Sequence, residues 1–196
     1  CLQDRYEEGG ATKSEYFWQD LIVARLIYKV NPVKHVDVGS RVDGFVSHVA
    51  SFREIEVFDV RPITTQIPGV IFKQADMMAN DDLIDYCDSL SCLHALEHFG
   101  LGRYGDPIDT EGYSRGLANM AKLLKSSGIF YLATPIGQER VEFNAHRVFN
   151  PEHIINLAKK EGLSLQTFTI IDVNGTVQEM NVTSEVLKAL SNKVYN

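Results

Sequence analysis

Apolar positions along this chain alternate between helical and strand-like spacing. Helical spacing over 14–28 follows Thr12 and Glu15, a possible capping box, and stops at Asn31-Pro32. Strand-like runs then appear at 34–38, 54–60, 69–74, 89–93 and 128–134. Helical patterns over 44–51, 81–86, 112–125 and 151–161 separate most of them. After Gly162 two further strand-like runs, 164–171 and 176–182, are joined through Val173-Asn174-Gly175, and Asn-Gly is a strong hairpin signal. A short helix over 185–190 closes the pattern. Such alternation predicts an α/β fold: a mostly parallel seven-stranded sheet, a C-terminal antiparallel hairpin and helices on both faces. With no repeat or linker, 1–196 reads as one domain, with a lead-in and helix over 1–31 and a core over 33–182.

Composition narrows the partners. At 196 residues the chain can bury a core without disulfide or metal. It carries 19 Lys plus Arg against 26 Asp plus Glu, a net charge of −7, which disfavours a nonspecific grip on nucleic acid and favours a small-molecule partner. The odd set Cys1, Cys87 and Cys92 lacks zinc or C-x-x-C spacing, as expected of reduced thiols in the cytoplasm. The longest apolar stretch, 21–30, is interrupted by Arg25 and Lys29 and is too short to span a membrane.

Candidate chemistry begins at Val36-Asp37-Val38-Gly39-Ser40-Arg41, where an apolar run ends in an acid and a glycine. Gly39 permits positive φ and close ligand approach, and the helix that follows would turn its free N–H groups toward the same crevice. In open α/β sheets ligands bind at such strand ends.

Several strand ends agree in kind: Asp37-Val38-Gly39-Ser40, Asp59, Ala75-Asp76, Leu96-Glu97-His98, and Leu123-Leu124-Lys125-Ser126-Ser127-Gly128. In this order they resemble the class I S-adenosylmethionine-dependent methyltransferases, over roughly residues 33–182, which implies a Rossmann-like fold. Phe17-Trp18-Gln19-Asp20, the segment Gly100-Leu101-Gly102-Arg103-Tyr104-Gly105-Asp106, and Phe143-Asn144-Ala145-His146-Arg147 resemble a bacterial methyltransferase-like family of unassigned function. That resemblance is associated with surface-polysaccharide pathways and implies a sugar-like acceptor, free or nucleotide-linked. It also implies S-adenosylmethionine as cofactor, with Gly39 and Ser40 beneath its methionine part and Asp37 near its amino group. Asp59 would accept the ribose hydroxyls, Asp76 the adenine amino group, and Met77 or Leu93 would cover the ring. The usual G-x-G-x-G is replaced by Gly39-Ser40-Arg41-Val42-Asp43-Gly44, so Arg41 either meets the cofactor carboxylate or fills its space.

Methyl transfer to a hydroxyl needs alignment and a base near neutral pKa, a role that suits histidine. His98 or His146 is the expected base, with Glu97 orienting an imidazole. His94 and Glu97-His98 also resemble the acidic/histidine metal site of certain quinone-biosynthesis O-methyltransferases, which keeps a divalent ion as an unfavoured alternative. His94, Arg103, Tyr104, Asn144 and Arg147 are expected on the acceptor side. The three glycines over 100–106 suggest a mobile loop, or a structural one in which Arg103 pairs with Asp106 or Asp109. Tyr16, Phe17 and Trp18 are expected in the core, with Gln19 or Asp20 near the ligand.

The expected function is therefore O-methylation of a sugar or another polar small molecule. One rival is a non-catalytic binding module with a degenerate cofactor loop. Another is an NADP-dependent oxidoreductase, in which Asp59 follows Gly39 by 20 residues and Arg61 would meet a 2′-phosphate, but G-x-G-x-x-G is missing.

Overall fold

In the computed structural model, which describes all residues except 1, 7, 8, 11, 80, 81, 195 and 196, the first long element is α1 (Glu15–Val30). It starts at Ser14, whose extended backbone lets the hydroxyl accept a hydrogen bond from the Tyr16 N–H at 3.2 Å. Asn31 ends it in the left-handed region, at φ 47°. Ser14, not Thr12, is thus the cap. The Thr12 carbonyl accepts the Trp18 indole N–H instead, at 3.0 Å.

The central sheet is built from β1 (His35–Val38), β2 (Ile55–Asp59), β3 (Val70–Gln74), β4 (Cys87–Leu93) and β5 (Leu124–Ala133). All pairs are parallel and the order is β3-β2-β1-β4-β5. The chain order reverses between β1 and β4, which opens a crevice at their carboxyl ends. A π-type turn (Val42–Val46) and the short α2 (Ser47–Ala50) follow β1. Together with α1 they cover one face through Ile27, Phe45, Val49, Ile55 and Val57. Two more helices, α3 (Gly112–Leu123) and α4 (Pro151–Lys160), cover the other through Leu90, Leu117, Met120, Leu123 and Ile154. Burial from both sides explains the near-continuous apolar runs of the inner strands.

Four features depart from the sequence pattern. The central sheet has five strands, because β8 (Thr169–Ile171) and β9 (Val177–Glu179) pair only with each other. The hairpin turn rests on α1, where Trp18 abuts Gly175 (φ +79°) so closely that a Cβ would lie 2.5 Å from its indole nitrogen. Trp18 therefore holds the hairpin and Phe17 is exposed, so neither lies in the core.

Residues 82–86 form no helix, and Asp81 lies outside the described residues. The N–H groups of Asp85 and Tyr86 donate to Lys122 and Leu123 carbonyls at 2.9 and 2.8 Å, capturing the end of α3 in place of helical partners. A hairpin of β6 (Arg140–Glu142) and β7 (His146–Val148) was absent from the expected elements because each strand has only three residues. The closing helix expected over 185–190 is present as α5 (Ser184–Ser191), capped by the Thr183 hydroxyl and packed near α4. Among the described residues no helix is long and apolar enough to cross a membrane.

Candidate active site

The turn after β1 is shaped by a buried polar network. Asp37, fully buried, accepts on Oδ1 from the hydroxyls of Ser40 (2.6 Å) and Ser91 (2.5 Å), and on Oδ2 from the Ser40 N–H (3.0 Å). Ser40 Oγ in turn accepts the Leu93 N–H at 3.1 Å, tying the turn to β4. Because Ser91 donates to Asp37, it accepts from His35 Nε2 at 3.1 Å, and His35 Nδ1 accepts from Ser89 at 2.8 Å. His35 is thus neutral, and burial lowers its pKa to about 3, while burial raises that of Asp37 to about 6. Asp37 does not line the cavity as expected of a group near the cofactor amine. It lies beneath the turn and holds its shape.

Gly39 sits at φ +71°, and a Cβ there would lie 2.8 Å from that of Ala95, so only glycine fits. Beside it opens a cavity of about 1980 Å³, lined by Gly39, Ser40, Asp59, Asp76, Met77 and Leu93, among others. Arg41 reaches the rim, where its guanidinium turns onto Asp43 at 2.7 Å instead of filling the cavity. Asp76 closes a turn by accepting the Met78 N–H at 2.8 Å. Asp59, 8% exposed, is held by Arg61 through Nε (3.0 Å), a second guanidinium nitrogen (2.8 Å) and the backbone N–H (2.8 Å).

Beside this turn, His94 and the 3-10 turn Leu96–His98 bring three titratable side chains, His94, Glu97 and His98, to the cavity. His94, at φ 51°, points Nδ1 to Glu97 Oε1 at 3.1 Å, and its ring lies 4.9 Å from that of Tyr16. Glu97 is 2% exposed, and its Oε2 has no hydrogen-bond partner among the described residues. His98 Nδ1 donates to the Ala145 carbonyl at 2.6 Å, which leaves Nε2 as the nitrogen with an open lone pair, 3.8 Å from Glu97 Oε1. Burial lowers the His98 pKa, with the Glu97 charge acting in the opposite direction. His146 lies opposite Glu142 in the β6–β7 hairpin and also lines the cavity. Among the described residues no three or more His, Cys, Asp or Glu side chains are grouped to hold a metal ion.

The segment 100–106 is a closed structural loop and not the mobile one its glycines suggest. Asp106 accepts the N–H groups of Gly100 (2.9 Å), Gly102 (3.2 Å) and Tyr104 (3.1 Å). Arg103 therefore pairs with neither Asp106 nor Asp109. It donates to the Ala145 carbonyl at 2.8 Å, and Arg115 takes Asp109. Arg103 and Tyr104 both line the cavity.

Asn144 and Arg147 do not. Asn144 is exposed on the hairpin turn, away from the cavity. Arg147 is buried and donates to the carbonyls of Glu97 and Phe99 with its guanidinium 5.0 Å from the Tyr113 ring, so it clamps the hairpin to the 3-10 turn. Conversely, Tyr16, assigned to the core from sequence, lines the cavity along with Gln19 and Asp20, and so does Arg61. Only the helical spacing of 16, 19 and 20 hinted that α1 would turn one face to the site.

Residues 70–192 match the family described as "Caenorhabditis protein of unknown function, DUF268". The match spans the 94–106 and 140–148 regions but not Gly39 or Asp59. No curated protein matches the sequence. Solved structures with the same fold include the (4+2)-cyclase SpnF (16% identity, TM-score 0.58), with 78% of this chain and 60% of the cyclase aligned. The chain thus spans less than two thirds of that protein's length. They also include the Burkholderia thailandensis 1,6-didemethyltoxoflavin-N1-methyltransferase with bound S-adenosylhomocysteine (14%, 0.60), covering 84% of this chain and 75% of that one. A TehB-like S-adenosylmethionine-dependent methyltransferase from Corynebacterium glutamicum (14%, 0.57) aligns over 98% of this chain and 85% of its own. At these identities the likeness establishes the Rossmann-like class I methyltransferase fold, and a cyclase among the matches illustrates that fold alone does not define activity.

Proposed function

The chain belongs to the DUF268 family, whose function is unknown, and we propose that it is an S-adenosylmethionine-dependent methyltransferase acting on a hydroxyl of a polar small molecule, such as a free or nucleotide-linked sugar. A role in surface-polysaccharide assembly accords with that acceptor class. The observation that carries the reading is His98: with Nδ1 committed to the Ala145 carbonyl, it offers a neutral Nε2 at the cavity wall. A lowered pKa keeps that nitrogen unprotonated at neutral pH.

The residues fit the cofactor. Gly39 and Ser40 line the cavity for the methionine part, Asp59 is the carboxylate for a ribose diol, and Asp76, with Met77 beside it, is the group for the adenine end. When bound, the cofactor supplies an electrophilic methyl group on sulfur. His98 Nε2 takes the acceptor's proton, and the Glu97 carboxylate stabilises the imidazolium that results. His94 holds Glu97 in place through Nδ1, and Tyr16 packs on His94. His146 is the second histidine on the acceptor side. The degenerate-loop alternative rests on Arg41, whose guanidinium sits at the cavity rim paired with Asp43.

Calorimetric titration with S-adenosylmethionine, S-adenosylhomocysteine and NADPH tests the reading. Micromolar binding of the first two but not of NADPH is expected, with a loss of about tenfold or more in Asp59→Asn. A folded protein that binds neither would be a non-catalytic module.

A further inference from the structure

Asp59, the carboxylate suited to a ribose diol, is held by its own neighbour. Oδ1 accepts both the N–H and the Nε of Arg61, and Oδ2 accepts a second guanidinium nitrogen. A carboxylate offers about four lone-pair sites, so three are taken and one remains, where a diol donates two hydrogens. Arg61 must therefore yield before both ribose hydroxyls are accepted.

The same guanidinium lies 4.3 Å from the centre of the Tyr104 ring, and Arg103 approaches that ring at 5.2 Å. Tyr104 belongs to the loop that Asp106 holds closed, which fixes its backbone. Its ring also meets His98 edge-on at 5.5 Å, and Arg103 shares the Ala145 carbonyl with His98. A continuous set of contacts thus runs from the ribose carboxylate through Arg61 and Tyr104 to the base.

We propose that Arg61 is a latch on the cofactor site: it occupies Asp59 in the ligand-free protein and is displaced by the cofactor ribose, and its release is felt at Tyr104 and the acceptor side. The inference rests on the methyltransferase reading. Arg61 acts through Asp59 and Tyr104, so it is a positioning residue and not a catalytic one.

Titration of the whole chain with S-adenosylhomocysteine tests it. Arg61→Ala should bind roughly five- to tenfold more tightly than the native chain, because no ion pair has to open. Arg61→Lys, which keeps the charge but not the two-pronged contact, should fall between them. Tyr104→Ala should gain a smaller factor of about two to five. Native affinity should also rise as sodium chloride increases from about 0.05 M to about 0.5 M, since salt weakens the half-exposed pair, and Arg61→Ala should lose that dependence.

Equal or weaker binding by Arg61→Ala overturns the latch while leaving the methyltransferase reading intact. Binding by Arg61→Ala alone overturns both, since the ribose then does not displace Arg61 and the native chain is a non-catalytic module. Absence of binding by both chains, each shown folded by circular dichroism, overturns the methyltransferase reading and the latch with it.

Discussion

His98 owes its character to what its Nδ1 touches. A carbonyl can only accept, so the contact with Ala145 places the proton on Nδ1 and the lone pair on Nε2. Burial lowers the pKa and Glu97 partly restores it. Titration of the His98 ring by NMR should give a midpoint below 6.5, and Glu97→Gln, which removes the opposing charge, should move it lower still. A midpoint at or above 6.5, or a rise in Glu97→Gln, would contradict the assigned environment. Single residues were unevenly legible. Gly39 and Asp59 stood out because their types and places at strand ends have few other uses, and the structure puts both at the cavity. Asp37 has the same acidic signature but lies beneath the turn, since alternation along β1 does not say which neighbours will satisfy a buried carboxylate. Arg61 was noted only for a rival cofactor, and its contact with Tyr104 joins positions far apart in the chain.

Among the elements, the three-residue strands of the β6–β7 hairpin have the largest consequence for chemistry. They carry the Ala145 carbonyl to His98 and insert Arg147 beneath the 3-10 turn. Replacing Arg147 with Ala strands two carbonyls, and urea unfolding should show a loss of about 2–3 kcal/mol. The His98 titration should move lower still as its carbonyl partner loosens, because the Ala145 contact favours the protonated ring. An unchanged stability would mean the clamp is idle. Long elements such as α1, α3 and α4 were readable because many apolar positions repeat in each. The short hairpin was not, and Arg147 was accordingly expected in the acceptor site. Its neighbours Val148 and Phe149 are buried, a sign in retrospect that this strand faces inward.

For the whole molecule, two buried groups beneath the cofactor turn set opposing pH dependences. His35 titrates near 3 when folded against an ordinary 6.5, so its contribution to stability is complete above 6.5 and is lost as pH falls toward 3. Asp37 titrates near 6 against 3.8, so its contribution is complete below 3.8 and is lost as pH rises through 6. Between roughly pH 4 and 6 the two slopes cancel. Asp37→Asn removes one of them. Its stability should rise steadily with pH across that interval while the native chain stays level, and at pH 7 it should be the more stable by on the order of 2–3 kcal/mol. Urea unfolding at successive pH values checks this, and parallel curves for the two chains would refute it.

From the sequence alone came the α/β class, the parallel order of strands and helices, and the acids and glycine that end the strands, because local spacing and backbone preference act within a few residues. The tertiary structure decided which sheet each strand joins. Asparagine-glycine specifies a hairpin turn but not its dock, and Trp18 draws the β8–β9 hairpin onto α1 and away from β5. It also decided which of two chemically similar residues serves the site, since His98, Arg61 and Tyr104 acquire their roles from partners that only folding brings within hydrogen-bonding or ring-contact distance.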